Sequence, residues 1–276
     1  MYNTKIKPTF CPGCGNYGIK QALQSALEQL DLKPHQAVIT YDVGCNSNMA
    51  DFIYAYGFHG LHGRSVPSAA GIKLANHKLP VIAIIGDGAF YSEGGTHFLN
   101  LMRANHDVTV IVHNNHRFSL TAGQYTSTTE EETITVTSPA GVIEEPVNPI
   151  AVSLVNHATF VARGFAGDVK HLTDLIISGV KHKGFSLIDV LQPCVIWNKE
   201  QSYEWYKKNI YYLKKADSKR QRALKDALNE KKLAVGVFYQ ENKPAYHEEF
   251  PALIKKPLVY QDIRKIDIRE VMKEFG

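Results

Sequence analysis

Pro80-Val-Ile-Ala-Ile-Ile-Gly-Asp-Gly88 and, further on, Asp107-Val-Thr-Val-Ile-Val-His-Asn-Asn115 are the stretches on which the fold turns. Each is an aliphatic run ending in turn-forming polar residues. A strand with one wet face alternates apolar and polar residues, so an unbroken apolar run implies burial on both faces, as in a parallel sheet. Runs of the same kind stand at 37–42, 159–162 and 185–191, which makes five parallel strands with those at 80–85 and 107–113. Between them lie segments of helical spacing: 17–30, with Ile19, Leu23, Ala26, Leu27 and Leu30; 68–76; 95–104; and 169–181, with Leu172, Leu175, Ile176 and Val180. Strands alternating with helices predict an α/β fold, a mostly parallel sheet flanked by helices on both faces.

The remainder of the chain departs from that pattern. From 121 to 151 the periodicity gives way to Ser, Thr, Pro and Gly, a stretch too long for a mere connection and therefore expected to carry function or meet a partner. After Trp197 the composition changes again. Residues 203–232 predict a charged amphipathic helix, and 234–239, followed by Asn242-Lys-Pro244, a short strand and turn. The expected organisation is a cofactor-binding domain over 1–198 and a C-terminal helical extension over 199–276, packed on that domain or on a partner subunit through aromatic residues such as Trp205, Tyr206, Tyr211 and Tyr212. The 276 residues are 44% hydrophobic and 21% charged, with a net charge of +4, an ordinary globular balance. Basic residues concentrate in 207–232 but are preceded by Glu204 and interleaved with Asp217, Asp226 and Glu230, which describes a solvated helix face and not a nucleic-acid surface. Residues 1–10 hold no apolar core of a signal peptide, and the aliphatic stretch at 79–85 is too short to span a bilayer, so the expectation is a cytoplasmic protein with no membrane partner.

Chemistry-bearing residues fall where an open parallel sheet gathers its ligands, past the carboxyl ends of strands. Asp42-Val-Gly-Cys-Asn-Ser-Asn48 follows the first run, Gly86-Asp-Gly88 the second, Asn114-Asn115 the third and Gln192-Pro-Cys194 the fifth. Gly-Asp-Gly lets backbone approach a phosphate while the carboxylate meets a hard cation, and an Asn carbonyl from the next strand can complete Mg²⁺ coordination. The four cysteines are a Cys11/Cys14 pair and the lone Cys45 and Cys194, which stand 149 positions apart. In a reducing compartment such thiolates hold a redox cluster or zinc rather than a disulfide; zinc sites more often use two close pairs. Gly13-Cys-Gly-Asn-Tyr-Gly18 matches a dinucleotide fingerprint in letters alone, because no strand pattern precedes it. His59, His113 and His116 lack supporting carboxylates at ligand spacing and are expected to be polar loop or lining residues.

Twenty-five residues separate Gly88 from Asn114, the spacing of the thiamine diphosphate motif. With Cys11-Pro-Gly-Cys-Gly15, Val43-Gly-Cys45, Leu61-His-Gly-Arg64, Leu120-Thr-Ala-Gly-Gln124, Gln192-Pro-Cys194 and Gly236-Val-Phe-Tyr-Gln240, the chain resembles the β subunit of 2-oxoacid:ferredoxin oxidoreductases. The resemblance implies the diphosphate-binding module of the thiamine diphosphate fold. It implies oxidative decarboxylation of a 2-oxoacid, pyruvate first and 2-oxoglutarate next, with coenzyme A taking the acyl group and ferredoxin the electrons. By the same resemblance Cys11, Cys14, Cys45 and Cys194 are [4Fe–4S] ligands, while Asp87, the Asn115 side chain and the Arg117 main-chain carbonyl hold Mg²⁺. Gly44, Asn46, His62, Gly63, Arg64, Gly86, Asp87, Gly88, Asn115, Leu120 and Thr121 are the implied thiamine diphosphate residues, with His62 and Arg64 the catalytic candidates. An obligate α subunit is implied to supply the carboxylate that activates the cofactor, in a heterodimer or a dimer of heterodimers. Asn48 and Ala122 depart from residues common in the family near the substrate, and so put its identity in doubt. The competing possibility is a non-redox thiamine diphosphate decarboxylase or synthase subunit whose cysteines bind structural zinc.

Overall fold

The computed structural model describes residues 1–229, 231–262, 264 and 267–275. Its centre is a sheet of strands β1 (Val38–Tyr41), β2 (Tyr56–His59), β3 (Val81–Gly86), β4 (Thr109–Asn114), β5 (Phe160–Phe165), β6 (Ser186–Leu191), β7 (Ile210–Tyr212) and β8 (Leu233–Gln240). Their order across the sheet is β2-β1-β3-β4-β6-β5-β8-β7. The first six pair in parallel, and β8 runs antiparallel to β5. All five expected strands are present and parallel, and the sheet is covered on both sides as their apolar runs require. Period-two alternation sorts each strand: Ile82, Ile84, Ile111, Ile188 and Val190 enter one core with Ile19, Leu23 and Leu27 of α1 (Asn16–Gln29), and Leu172, Leu175 and Ile176 of a helix at Val169–Lys181. Val81, Ala83, Ile85, Val110, Val112 and Leu187 enter the other, against α2 (Ser65–Ala75), α3 (Gly95–Ala104) and α4 (Pro149–Val155). The Val169–Lys181 helix is α5, started by the Asp168 carboxylate accepting from the His171 N–H at 3.1 Å.

Three elements differ from the sequence expectation. The edge strand β2 was hidden because all four of its residues are exposed, leaving no apolar run to mark it. Residues 203–232 are not one helix: α6 (Tyr203–Asn209) and α7 (Arg220–Ala227) flank β7. The β-branched and aromatic Ile210-Tyr-Tyr212 pairs with Leu233–Val235, where such side chains suit a pleated surface better than a helix. Glu230, counted among that stretch's carboxylates, lies outside the described residues. The expected terminal strand is β8, which enters the main sheet, so residues beyond 199 contribute core through Val235 and Phe238. No helix among the described residues is long and apolar enough to cross a membrane.

Candidate functional site

Strand order reverses direction between β1 and β3, since β1 leads outward to β2 while β3 leads to β4. Such a switch point opens a crevice at the carboxyl ends. Register aligns those ends: Tyr41 pairs with Ile84, Gly86 with His113, and Asn114 with Leu191. Asp42, Asp87, Asn115 and Gln192 therefore follow along one rim.

Two cavities occupy this rim. The first is lined by Gly44, Asn46, His62, Gly86, Asp87, Gly88, Asn115, Leu120 and Thr121, together with His113, Arg117 and Phe118. The second, of about 200 Å³, is lined by all four cysteines with Asn16, Asn48, Gln192 and Trp197. Cys45, Asn115, Ser119 and Leu120 belong to both linings, so the cavities adjoin. Gly63 and Arg64 stand apart from either lining. The Arg64 guanidinium instead donates to the Glu93 carbonyl at 3.0 Å and to that of Gly63 at 3.2 Å, bracing the loop that enters α2, while His62 faces Glu93 at 3.7 Å.

Asp87 is fully enclosed. The hydroxyls of Thr126 and Thr128 donate to its Oδ2 at 2.6 and 2.7 Å, and among the described residues no Lys or Arg forms an ion pair with it. Burial pushes its carboxyl pKa up, because an isolated charge in a poorly solvated place is costly. A buried carboxylate with both hydroxyl donors on one oxygen, lining a cavity, fits a divalent cation on its other side. Asn115 Oδ1 accepts the Arg117 N–H at 3.0 Å and the Ser119 hydroxyl at 3.3 Å, which curls the loop, and Arg117 is among the residues lining the same cavity. Gly88 is needed for close approach: a Cβ there would collide with the Phe118 ring and lie 2.7 Å from Thr126 Cγ2. A π-helical turn, Ala89–Glu93, follows directly, a device common beside functional sites.

Sequence reasoning passed over the groups that hold these ligands in place. Asp42 is buried; its Oδ1 accepts from Asn46 Nδ2 at 2.6 Å and Ser47 Oγ at 2.9 Å, and its Oδ2 from the Gly86 N–H at 3.5 Å. Burial raises its pKa to about 6 against those donors. Asn114, the first of the Asn pair, turns away from the cavity and donates to Asp189 at 3.1 Å, while its side-chain carbonyl lies 3.1 Å from the Thr128 hydroxyl and shares that group's single proton with Asp87. Asp189 in turn receives Tyr91 at 2.8 Å and Arg163 at 3.4 Å. Aspartates inside apolar runs are the one available signal, and Asp189 interrupts such a run in β6. The threonines of 126–129 carry no such mark, although the irregular stretch 121–151 was singled out as a whole.

Around the second cavity Cys11 is exposed, Cys45 half-buried and Cys14 and Cys194 buried, all as free thiols. Burial, reinforced by the neighbouring thiols, pushes Cys14 and Cys45 up to about 11. Neutral thiols would keep that state; a bound metal centre would draw off the protons, because thiolate is the ligand form. All four cysteines line one cavity of about 200 Å³, a thiolate donor set of the chemistry that iron–sulfur clusters and zinc take.

Residues 42–190 match the family model described as thiamine pyrophosphate enzyme, C-terminal TPP binding domain, which defines the class. Residues 194–255 match the family model for the C-terminal part of the pyruvate ferredoxin oxidoreductase beta chain. The chain is 37% identical to the 2-oxoacid:ferredoxin oxidoreductase subunit beta of Saccharolobus solfataricus, over 96% of this chain and 95% of that one. It is 31% identical to the 2-oxoglutarate synthase subunit KorB of Methanocaldococcus jannaschii, over 93% and 96%. Among solved structures, the 2-oxoglutarate:ferredoxin oxidoreductase from Magnetococcus marinus with 2-oxoglutarate, coenzyme A and succinyl-CoA bound superposes with a TM-score of 0.91 at 29% identity, covering 100% of this chain and 94% of that one. The chain belongs to the β subunits of the 2-oxoacid:ferredoxin oxidoreductases, and it is part of an oxidoreductase.

Proposed function

We propose that this chain, with an α subunit, converts a 2-oxoacid and coenzyme A to the acyl-CoA and CO₂ and delivers the electrons to ferredoxin. The observation that carries this reading is the adjoining pair of cavities, one lined by Gly86-Asp-Gly88 and Asn115, the other by Cys11, Cys14, Cys45 and Cys194, with Cys45 and Asn115 in both. Thiamine diphosphate held beside Asp87 and Asn115 would supply carbanion chemistry toward a 2-oxo carbonyl, and a [4Fe–4S] cluster held by the four cysteines would supply one-electron redox chemistry.

The chain's own share is to hold and orient. Asp87, Asn115 and the Arg117 carbonyl would take Mg²⁺; Gly86 and Gly88 let backbone approach the diphosphate; Gly44, Asn46, Leu120 and Thr121 shape the walls. His62 reaches the cleft directly, whereas the Arg64 guanidinium is engaged with carbonyls and acts through the loop that carries His62. The free cysteines suit a reducing, cytoplasmic setting. An obligate α subunit would supply the activating carboxylate and part of the coenzyme A site, in a heterodimer or its dimer. The Magnetococcus marinus neighbour supports 2-oxoglutarate beside pyruvate as substrate.

The test is EPR of the anaerobically purified αβ enzyme with coenzyme A and, in turn, pyruvate, 2-oxoglutarate or an aryl pyruvate. A reduced-cluster signal with one acid identifies the substrate. Iron-free protein that still decarboxylates would replace this reading with non-redox thiamine chemistry and a zinc role for the cysteines.

A further inference from the structure

The wall between the two cavities contains three buried polar side chains, and each has an unpartnered atom: Asn16 Nδ2, His113 Nε2 and Gln192 Oε1. Each side chain is at most 1% exposed. Native interiors rarely leave polar atoms unpaired, so three together call for an explanation. His113 lines the cofactor cleft, while Asn16 and Gln192 line the cysteine cavity. His113 Nδ1 meets Asn16 Oδ1 at 2.8 Å, Gln192 stands against the imidazole, and Gln192 Nε2 donates to Cys14 Sγ at 3.7 Å. If the Asn16 amide turns so that Nδ2 donates to His113 Nδ1, the Asn16 orphan is paired and the ring proton passes to His113 Nε2, leaving that N–H as a donor beside Gln192. The backbone fixes this arrangement. Gln192 N–H donates to the Asn114 carbonyl at 2.9 Å, and Gly15 leaves room that any Cβ would take, at 2.6 Å from Gln192 Cγ.

Resting on the assignment of the four cysteines to a cluster, we infer that Gln192 is a positioning residue that sets the cluster's reduction potential, by donating its amide N–H to the Cys14 thiolate while His113 stands beside it on the cofactor side. An N–H donor withdraws charge from a thiolate and favours the more negative, reduced centre, so its removal makes reduction harder. Methionine at 192 keeps length and bulk without a donor.

The experiment is an EPR-monitored redox titration of the αβ holoenzyme, wild type against Gln192→Met, with iron counted in both. At the wild-type midpoint, the ratio of reduced to oxidised cluster in Gln192→Met should fall about tenfold, equivalent to about 59 mV for one electron. An iron-loaded variant with the wild-type midpoint overturns the inference and leaves the cluster assignment standing, whereas iron-free wild-type enzyme overturns both. If the variant loses its iron, wild-type enzyme labelled with ¹⁵N in glutamine side chains decides by electron–nuclear double resonance. Gln192 is the one glutamine among the described residues lining the cavity, so a ¹⁵N coupling to the reduced cluster supports the inference and its absence refutes it.

Discussion

Neutralising Asp42 should stabilise the cofactor-free protein at pH 8 and not at pH 4. Burial raises this carboxyl from an ordinary 3.8 to about 6. The folded state therefore holds a proton that the unfolded state has already released between those values, and stability falls as pH rises through that window. The contribution is fully present below about 4 and is lost above about 6; at about 1.36 kcal/mol per pKa unit, the penalty at pH 8 approaches 3 kcal/mol. Asp42→Asn removes the charge and keeps an oxygen for Asn46 and Ser47, losing only the 3.5 Å contact from the Gly86 N–H, worth at most about 1 kcal/mol. The variant should gain about 2 kcal/mol at pH 8, roughly 4 °C in Tm for a chain of this size, and lose up to about 1 kcal/mol at pH 4. Thermal unfolding followed by circular dichroism at pH 4, 6 and 8 gives both curves, and they should cross. Parallel curves would refute the claim that Asp42 carries a buried charge at neutral pH.

Thr128→Val deletes the hydroxyl on Asp87 without changing bulk, and should weaken Mn²⁺ binding in the presence of thiamine diphosphate about 10- to 100-fold, read by EPR of free Mn²⁺; affinity equal to that of Ser127→Ala would count against the clamp. Because burial raises the Asp87 pKa above the usual carboxylate value, protons compete with the cation, so wild-type Mn²⁺ affinity should fall as the pH is lowered, and a flat profile would oppose that account. Arg163→Met leaves Asp189 buried without its cation and should cost about 3–5 kcal/mol in urea unfolding. Ala122 sits at φ +80°, where a Cβ is strained, so Ala122→Gly should stabilise by about 1 kcal/mol; a loss of stability would show that its methyl packs usefully.

What could be read from the sequence was what apolar periodicity and strand-end chemistry encode. The runs ending at Gly86 and Asn115 disclosed a doubly covered parallel sheet and the rim on which Asp87, Asn115, Cys45 and Cys194 meet. What stayed hidden lacks a local signature. The strand β2 is exposed throughout, and Ile210-Tyr-Tyr212 is a strand only because Leu233–Val235 lies beside it. Thr126 and Thr128 are 39 and 41 positions from the carboxylate they serve, a relation set by the path of an irregular loop. His113 is the instructive case: its companions at the site come from α1 and the end of β6, so no spacing on the chain could show that it forms a wall.

These buried polar groups explain why the irregular stretch after Asn115 can be long without being loose. An unbroken chain of hydrogen bonds and charge runs Arg163–Asp189–Asn114–Thr128–Asp87, crossing β5, β6, β4, the loop and the end of β3. Each link gives a partner to a group that would otherwise be costly to bury, the single Thr128 proton being shared between Asp87 and Asn114, and such a network rigidifies its members. The loop is thereby tied to the sheet through the carboxylate proposed to meet the cation. Loss of a distant link, such as Arg163, should disturb Asp87 as well as lower stability, so the cost of Arg163→Met and the loss of Mn²⁺ affinity should appear together, whereas a disruption confined to the far end of the sheet would affect stability alone.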